Sequence, residues 1–285
     1  MAHLSSKMKG ILFLLLSAFG FAVMSIFVKL SGDLPTIQKV FFRNLITMIF
    51  SLSLILYYRS KLINDVQHIP PLLLRSIFGT LGMIAYFYAM DNMVLSDANM
   101  LNKLSTFFLL IFSAVFLKER LKAYQVISVF IAFIGALFII KPAFQVDLIP
   151  YLASISAAML AGAAYTVLRY LRNKEAYYSI TFFFSTFSVI VILPFMMIYY
   201  EQMNVYQVIY LLLAGMFASI GQFGITIAYQ YAPARDISIF NYFNVIFVTV
   251  LSYIVFFNFP DIYSIIGYII IFSASIYMFQ KNKRI

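Results

Sequence analysis

The strongest constraint on this chain is a succession of apolar runs, each about as long as a bilayer is thick. A helix crosses the hydrocarbon core with about 20 mostly apolar residues. Ten segments read as such runs: Gly10–Leu30, Thr36–Tyr58, Pro71–Met90, Ser96–Leu117, Ala123–Ile140, Pro150–Leu171, Ala176–Tyr200, Tyr206–Tyr231, Asp236–Phe257 and Ile262–Phe279. The links between them are too short to hold a separate domain. Hydrophobic residues make up 64% of the 285 and charged residues only 11%. Soluble chains average about half apolar and about a quarter charged, so this one has too little polar surface to stay in water. It reads as an all-α integral membrane protein, since a helix in lipid satisfies its own backbone. The first run is too long for a secretory signal and lacks a small-residue cleavage site, so it counts as a helix.

The basic residues orient the bundle. With the N-terminus inside, fourteen of the twenty Lys and Arg fall on inner segments and three, Lys29, Lys39 and Lys141, on outer loops. Arg43, Arg75 and Lys103 lie within segments. Lys and Arg concentrate on cytoplasmic loops. The expectation is a multi-pass protein of the cytoplasmic membrane with both termini in the cytoplasm. The net charge of +10 is then mostly a topology signal and calls for no nucleic-acid partner.

An internal repeat appears at a constant offset of 139 residues. Ser17 meets Ser156, Ala18 meets Ala157, Gly82 meets Gly221, Asp97 meets Asp236, Asn102 meets Asn241 and Ser113 meets Ser252. The expected units are residues 1–145 and 146–285, with five helices each. An odd number of helices inverts the second copy across the membrane. Inverted repeats recur in secondary transporters, with the binding site near the midplane at the repeat interface.

The five-plus-five plan, the "FLKERL" run after the fourth segment and "YFYAMDNMVLSDANML" before it resemble the EamA-type members of the drug/metabolite transporter superfamily. The resemblance spans essentially the whole chain and speaks more to fold and broad class than to substrate. Glu119 matches the family's acidic residue at the turn between the fourth and fifth helices, and Arg43 an Arg often found early in the second. There are departures. A proline common in the fourth and ninth helices is absent, with Ser105–Thr106 and Asn244–Val245 in its place, and Asn258 stands opposite Glu119 in the second half. A mechanism built on proline-broken helices is not expected from this sequence.

The polar residues inside the segments are the candidate substrate-binding set. Asn99, Asn102 and Ser105 recur every third residue on the fourth segment, and the offset carries them to Ser238, Asn241 and Asn244 on the ninth. Two readings fit these stripes. They line a polar cavity between the two segments, or they bond neighbouring helices together, as Asn and Ser do in lipid. Lys103, whose mate is Tyr242, and Arg43 each lie seven residues in from the outer face, roughly 10 Å deep. A charge at that depth faces a cavity or a partner. The cations form an electropositive vestibule for an anionic or zwitterionic substrate, or they snorkel outward and pair with Asp33, Asp91 or Asp97. Asp97, at a segment start, reads as an N-cap. Tyr86, Tyr88, Tyr165, Tyr229 and Tyr231, in spans that the resemblance places around a cavity, either stack on substrate or anchor in the interface. Gln222 completes the set.

Cys is absent and the two His, His3 and His68, lie outside the apolar segments, so neither disulfide nor His metal chemistry is expected, and no cofactor. No acid lies mid-segment, and no catalytic set appears at depth. The chain reads as a non-enzyme: a secondary transporter, exporter or importer, of a small organic metabolite such as an amino acid, a vitamin such as riboflavin or a nucleotide-like compound, acting as monomer or homodimer. A channel or scaffold subunit is the alternative, with a membrane-embedded enzyme last. Saturable, stereospecific uptake into proteoliposomes separates the first from the others.

Overall fold

The structure, a computed structural model, describes residues 5–116, 118, 121–141, 147–171, 174–231 and 237–283. The helices are α1 (Ser6–Leu30), α2 (Thr36–Tyr57), α3 (Ile69–Asn92), α4 (Leu95–Asn102), α5 (Ser105–Phe116), α6 (Ala123–Ile140), α7 (Ile149–Leu171), α8 (Tyr177–Ile198), α9 (Val205–Tyr231), α10 (Phe243–Phe256) and α11 (Ile262–Lys283). Short 3₁₀ turns precede α3 (Val66–His68) and α10 (Ser238–Tyr242). Among the described residues, nine segments are long and apolar enough to cross a bilayer, α4 and α5 together forming one. A shorter apolar stretch, Phe240–Phe256, is the tenth.

The turns sort to two ends. At the end away from Ser5, here the distal end, Gln38 donates to the Glu201 carbonyl, Gln207 to the Ser31 carbonyl, and Lys39 pairs with Asp91. At the proximal end, the Glu175 carboxylate accepts from the amides of Asn64 and Asp65 and bonds His68, while Ser60 meets Tyr178. Odd-numbered links thus meet one another, as do even-numbered ones.

The halves interlock rather than sit side by side. α1 packs along α9, and α3 along α7. These two pairings are the same contact made twice. A Cβ at Gly82 of α3 would lie 3.1 Å from Cβ of Leu160 on α7, and one at Gly221 of α9 would lie 2.8 Å from the ring of Phe21 on α1. Leu160 and Phe21 are themselves 139 residues apart. Lipid supplies no hydrophobic force between helices, so close approach over small residues is what holds such pairs. α2 pairs with α8 and α6 with α11, linking the two halves. A large apolar core runs through the bundle, including Val28, Phe87, Leu101, Phe107, Ile139 and Ile271, with smaller clusters around Leu14 and Leu72.

The fourth and ninth spans also end alike. Lys118 and Phe257 both adopt a left-handed backbone, with φ of 54° and 55°. They too are repeat mates, and neither is a glycine.

Candidate functional site

The fourth span breaks at Lys103. α4 ends at Asn102 and α5 begins at Ser105. Across the gap the bonds shorten to i→i−3: Lys103 N–H to the Met100 carbonyl at 3.0 Å, Leu104 to Leu101 at 3.0 Å and Phe107 to Leu104 at 2.9 Å. One turn is tightened to 3₁₀ geometry, which marks hinges and strained sites. No proline causes it. The Asn99 side chain donates to the Leu95 carbonyl, drawing on backbone acceptors as Asn does. α7 presses on the same place, since a Cβ at Gly162 would lie 3.0 Å from the Ser105 carbonyl. The ninth span is irregular at the equivalent point: Ser238–Tyr242 is 3₁₀ and the α-helix starts at Phe243. α4 packs against α10, so the two irregular spans meet. Both spans are thus irregular without a proline, and at Lys103 the Asn99 bond and the close approach of α7 accompany the break.

The polar stripes divide into two classes. Asn99 is buried and accepts from the Tyr86 hydroxyl at 2.6 Å, joining α4 to α3. Asn244 is buried and donates to the Ala18 carbonyl at 3.0 Å, joining α10 to α1. The Tyr242 hydroxyl accepts from Ser275 of α11 at 2.5 Å. These three bond helix to helix. Asn102, Lys103 and Asn241 are half-buried and make no side-chain hydrogen bond among the described residues. Gln222 and Tyr88 are half-buried in the same unbonded state. The side chains of Tyr229 and Ser238, and residues Glu119, Arg235 and Asp236, lie outside what is described.

Among the described residues Lys103 pairs with no acid. Asp97 is 1% exposed and accepts from Tyr268 at 2.5 Å and Ser264 at 3.1 Å, both on α11. Nor does Asp97 cap α4: the helix starts two residues earlier, at Leu95, which turns its carboxylate toward α11. Asp91 pairs with Lys39 at 2.7 Å, and Lys29 donates to the Met93 carbonyl at 2.8 Å. A further distal ion pair joins Lys141 to Asp261. Burial pushes the Asp261 carboxyl up, but hydrogen bonds from Lys141 and Ser264 outweigh it and hold the group below the usual carboxylate range.

Arg43 is 3% exposed and its charged neighbour is Arg75, a residue that sequence reasoning left out of the site. Arg43 Nη1 donates to Asn44 Oδ1 at 2.6 Å, and Asn44 Nδ2 donates to Ser188 of α8 at 2.8 Å. Arg75 is 6% exposed, with its guanidinium 4.0 Å above the Phe184 ring centre. Tyr165 lies within electrostatic reach of both arginines. Two clefts among the described residues lie elsewhere and are apolar. One of about 350 Å³ between α1, α2 and α9 is lined by Phe13, Phe50 and Met216. One of about 300 Å³ between α4, α10 and α11 is lined by Met100, Tyr242 and Tyr268.

Comparison with known proteins gives a consistent picture. The model of the EamA-like transporter family matches twice, over residues 8–141 and 148–280. The pseudopaline exporter of Pseudomonas aeruginosa is 30% identical over 277 residues, covering 96% of this chain and 97% of its own. Human solute carrier family 35 member G1 is 24% identical, covering 94% of this chain and 78% of its own. The S-adenosylmethionine uptake transporter of Rickettsia prowazekii is 23% identical, covering 99% and 96%. A solved protein structure, 14% identical, superposes with a TM-score of 0.71 over 96% of this chain and 98% of that one, which speaks for the fold.

Proposed function

The chain belongs to the EamA-like transporter family, and from that premise we propose that it carries a small organic metabolite through the interface of its two inverted halves by alternating access. Its relatives include both an exporter and an uptake transporter, so family membership leaves direction open. The observation that carries the reading is the pair of irregular spans 139 residues apart, meeting at α4 and α10 with Asn102, Lys103 and Asn241 unbonded around them. Discontinuous helices expose backbone groups for substrate, and such a backbone is tolerated in a membrane only where it is buried or wet. The distal end is the outer one in this reading, the protein sits in the cytoplasmic membrane with both termini inside, and a single chain holds the whole path. An anionic or zwitterionic substrate suits the unpaired lysine.

The natural chain has no Cys, so single cysteines report cleanly. Asn102→Cys and Asn241→Cys are expected to react with small aqueous thiol reagents in proteoliposomes. Inertness of both positions, whichever side the reagent is added from, rejects the path.

A further inference from the structure

The distal ion pairs, Asp97 and the helix-joining asparagines are all satisfied, and the two apolar clefts hold no charge. Outside the path around Lys103, the two arginines are the buried charged groups left with unmade donors among the described residues. We propose that Arg43 and Arg75, with the Tyr165 hydroxyl, form an oxyanion subsite that takes a carboxylate or phosphate group of the substrate; this rests on the transporter reading.

Both guanidinium groups are more than nine-tenths buried. Among the described residues Nε of Arg43 and both Nε and Nη1 of Arg75 have no hydrogen-bond partner. A guanidinium keeps its charge in proteins and offers five donors in a planar fork. Both arginines reach the same helix, Arg75 over Phe184 and Arg43 through Asn44 to Ser188 one turn further along α8, and buried donors there stay unmade. Buried cations are otherwise paired. Among the described residues no carboxylate forms an ion pair with either one. The missing partner is therefore an anion from outside the chain, and a bidentate oxyanion matches the fork.

The surroundings hold the donors in place. Asn44, fixed by Ser188, grips one end of Arg43. Gly79 leaves the room that Arg75 occupies, since a Cβ there would lie 2.5 Å from Arg75 Nη1 and 2.8 Å from the Phe184 ring. Phe184 supports the guanidinium from beneath and leaves its edge free. Tyr165, well inside α7, is 39% exposed where both arginines are buried. A structural role common to both halves does not explain the pair. The repeat mates of Arg43 and Arg75 are Phe182 and Ala214.

The test is thermal unfolding of the purified full chain, followed by circular dichroism, with sodium phosphate or sodium malonate titrated against chloride at fixed ionic strength. The expected result is a saturable upward shift in the wild type, lost in Arg75→Gln and Arg43→Gln and kept in Lys61→Gln. Should an arginine variant fail to fold, Tyr165→Phe keeps the ring and is expected to raise the half-saturating concentration several-fold. An equal shift in the wild type and every foldable site variant, or no shift with either anion, overturns the subsite. Cysteine reactivity at Asn102 and Asn241 is read on the same preparations. Reactive cysteines without an anion shift discard the subsite and keep the path. Inert cysteines with an Arg75-dependent shift discard the path and show an oxyanion site unconnected with transport.

Discussion

Asp97 and Lys103 lie six residues apart in one span and are treated in opposite ways. Asp97 is held by two hydroxyls from α11, while the Lys103 side chain has no hydrogen-bond or ion-pair partner among the described residues. A hydrogen bond to a buried charge is worth about 1.5–3 kcal/mol. Tyr268→Phe is therefore expected to lower stability by about 2 kcal/mol, and by less than about 1 kcal/mol once Asp97 is Asn. Lys103→Met and Asp97→Asn share no partner and are expected to add to within about 0.5 kcal/mol. Denaturant unfolding of the two double-mutant cycles in detergent checks both. Strong coupling between Lys103 and Asp97 would restore the lysine–aspartate pairing that the sequence allowed. The sequence showed that both residues lay in a span, but not which neighbouring helix would claim them. Arg75 was open to inspection, being an arginine inside an apolar run with a glycine one turn later. It was passed over because it has no polar stripe around it: its company, Phe184 and Tyr165, comes from other helices.

At the scale of elements, the clearest duplicated device is one that periodicity cannot reveal. Lys118 and Phe257 end equivalent spans in the left-handed conformation, where a side chain costs about 1–2 kcal/mol and glycine is the usual choice. Phe257 is 82% exposed, so little packing opposes its removal. Phe257→Gly is expected to raise stability by about 1 kcal/mol, read as an upward shift in thermal midpoint. An unchanged or lower midpoint would mean that the ring contact with Tyr253 matters more than the backbone. The spans themselves were legible, because the bilayer sets their length and composition sets their place. The irregular turns at Lys103 and Asn241 were not. At Lys103, Asn99 bonds its own backbone and α7 closes on Ser105 over Gly162, and neither irregular turn carries a proline or glycine at the break.

For the whole molecule, the repeat and its inversion could be read from one constant offset, but the interlocking of α1 with α9 and α3 with α7 could not, since lipid-facing and helix-facing surfaces are equally apolar. Orientation is a matter for experiment. Reporter fusions at Lys61, Lys122 and Lys174 are expected to read cytoplasmic and those at Asp147 and Glu201 external, and reversal at most sites rejects the placement. The distal ion pairs carry one more consequence. Exchanging the roles of two inverted halves turns one access state into the other, and identical halves would give the two states equal energy. These halves differ: the mates of Lys39 and Asp91 are Tyr178 and Gln230, and Tyr178 bonds the Ser60 hydroxyl where Lys39 has its carboxylate. The resting populations are then unequal, and a ligand that needs the rarer state binds with its dissociation constant divided by that state's fraction. One site thus presents two effective affinities, a tighter one to the compartment it faces at rest and a weaker one to the compartment sealed off by charge.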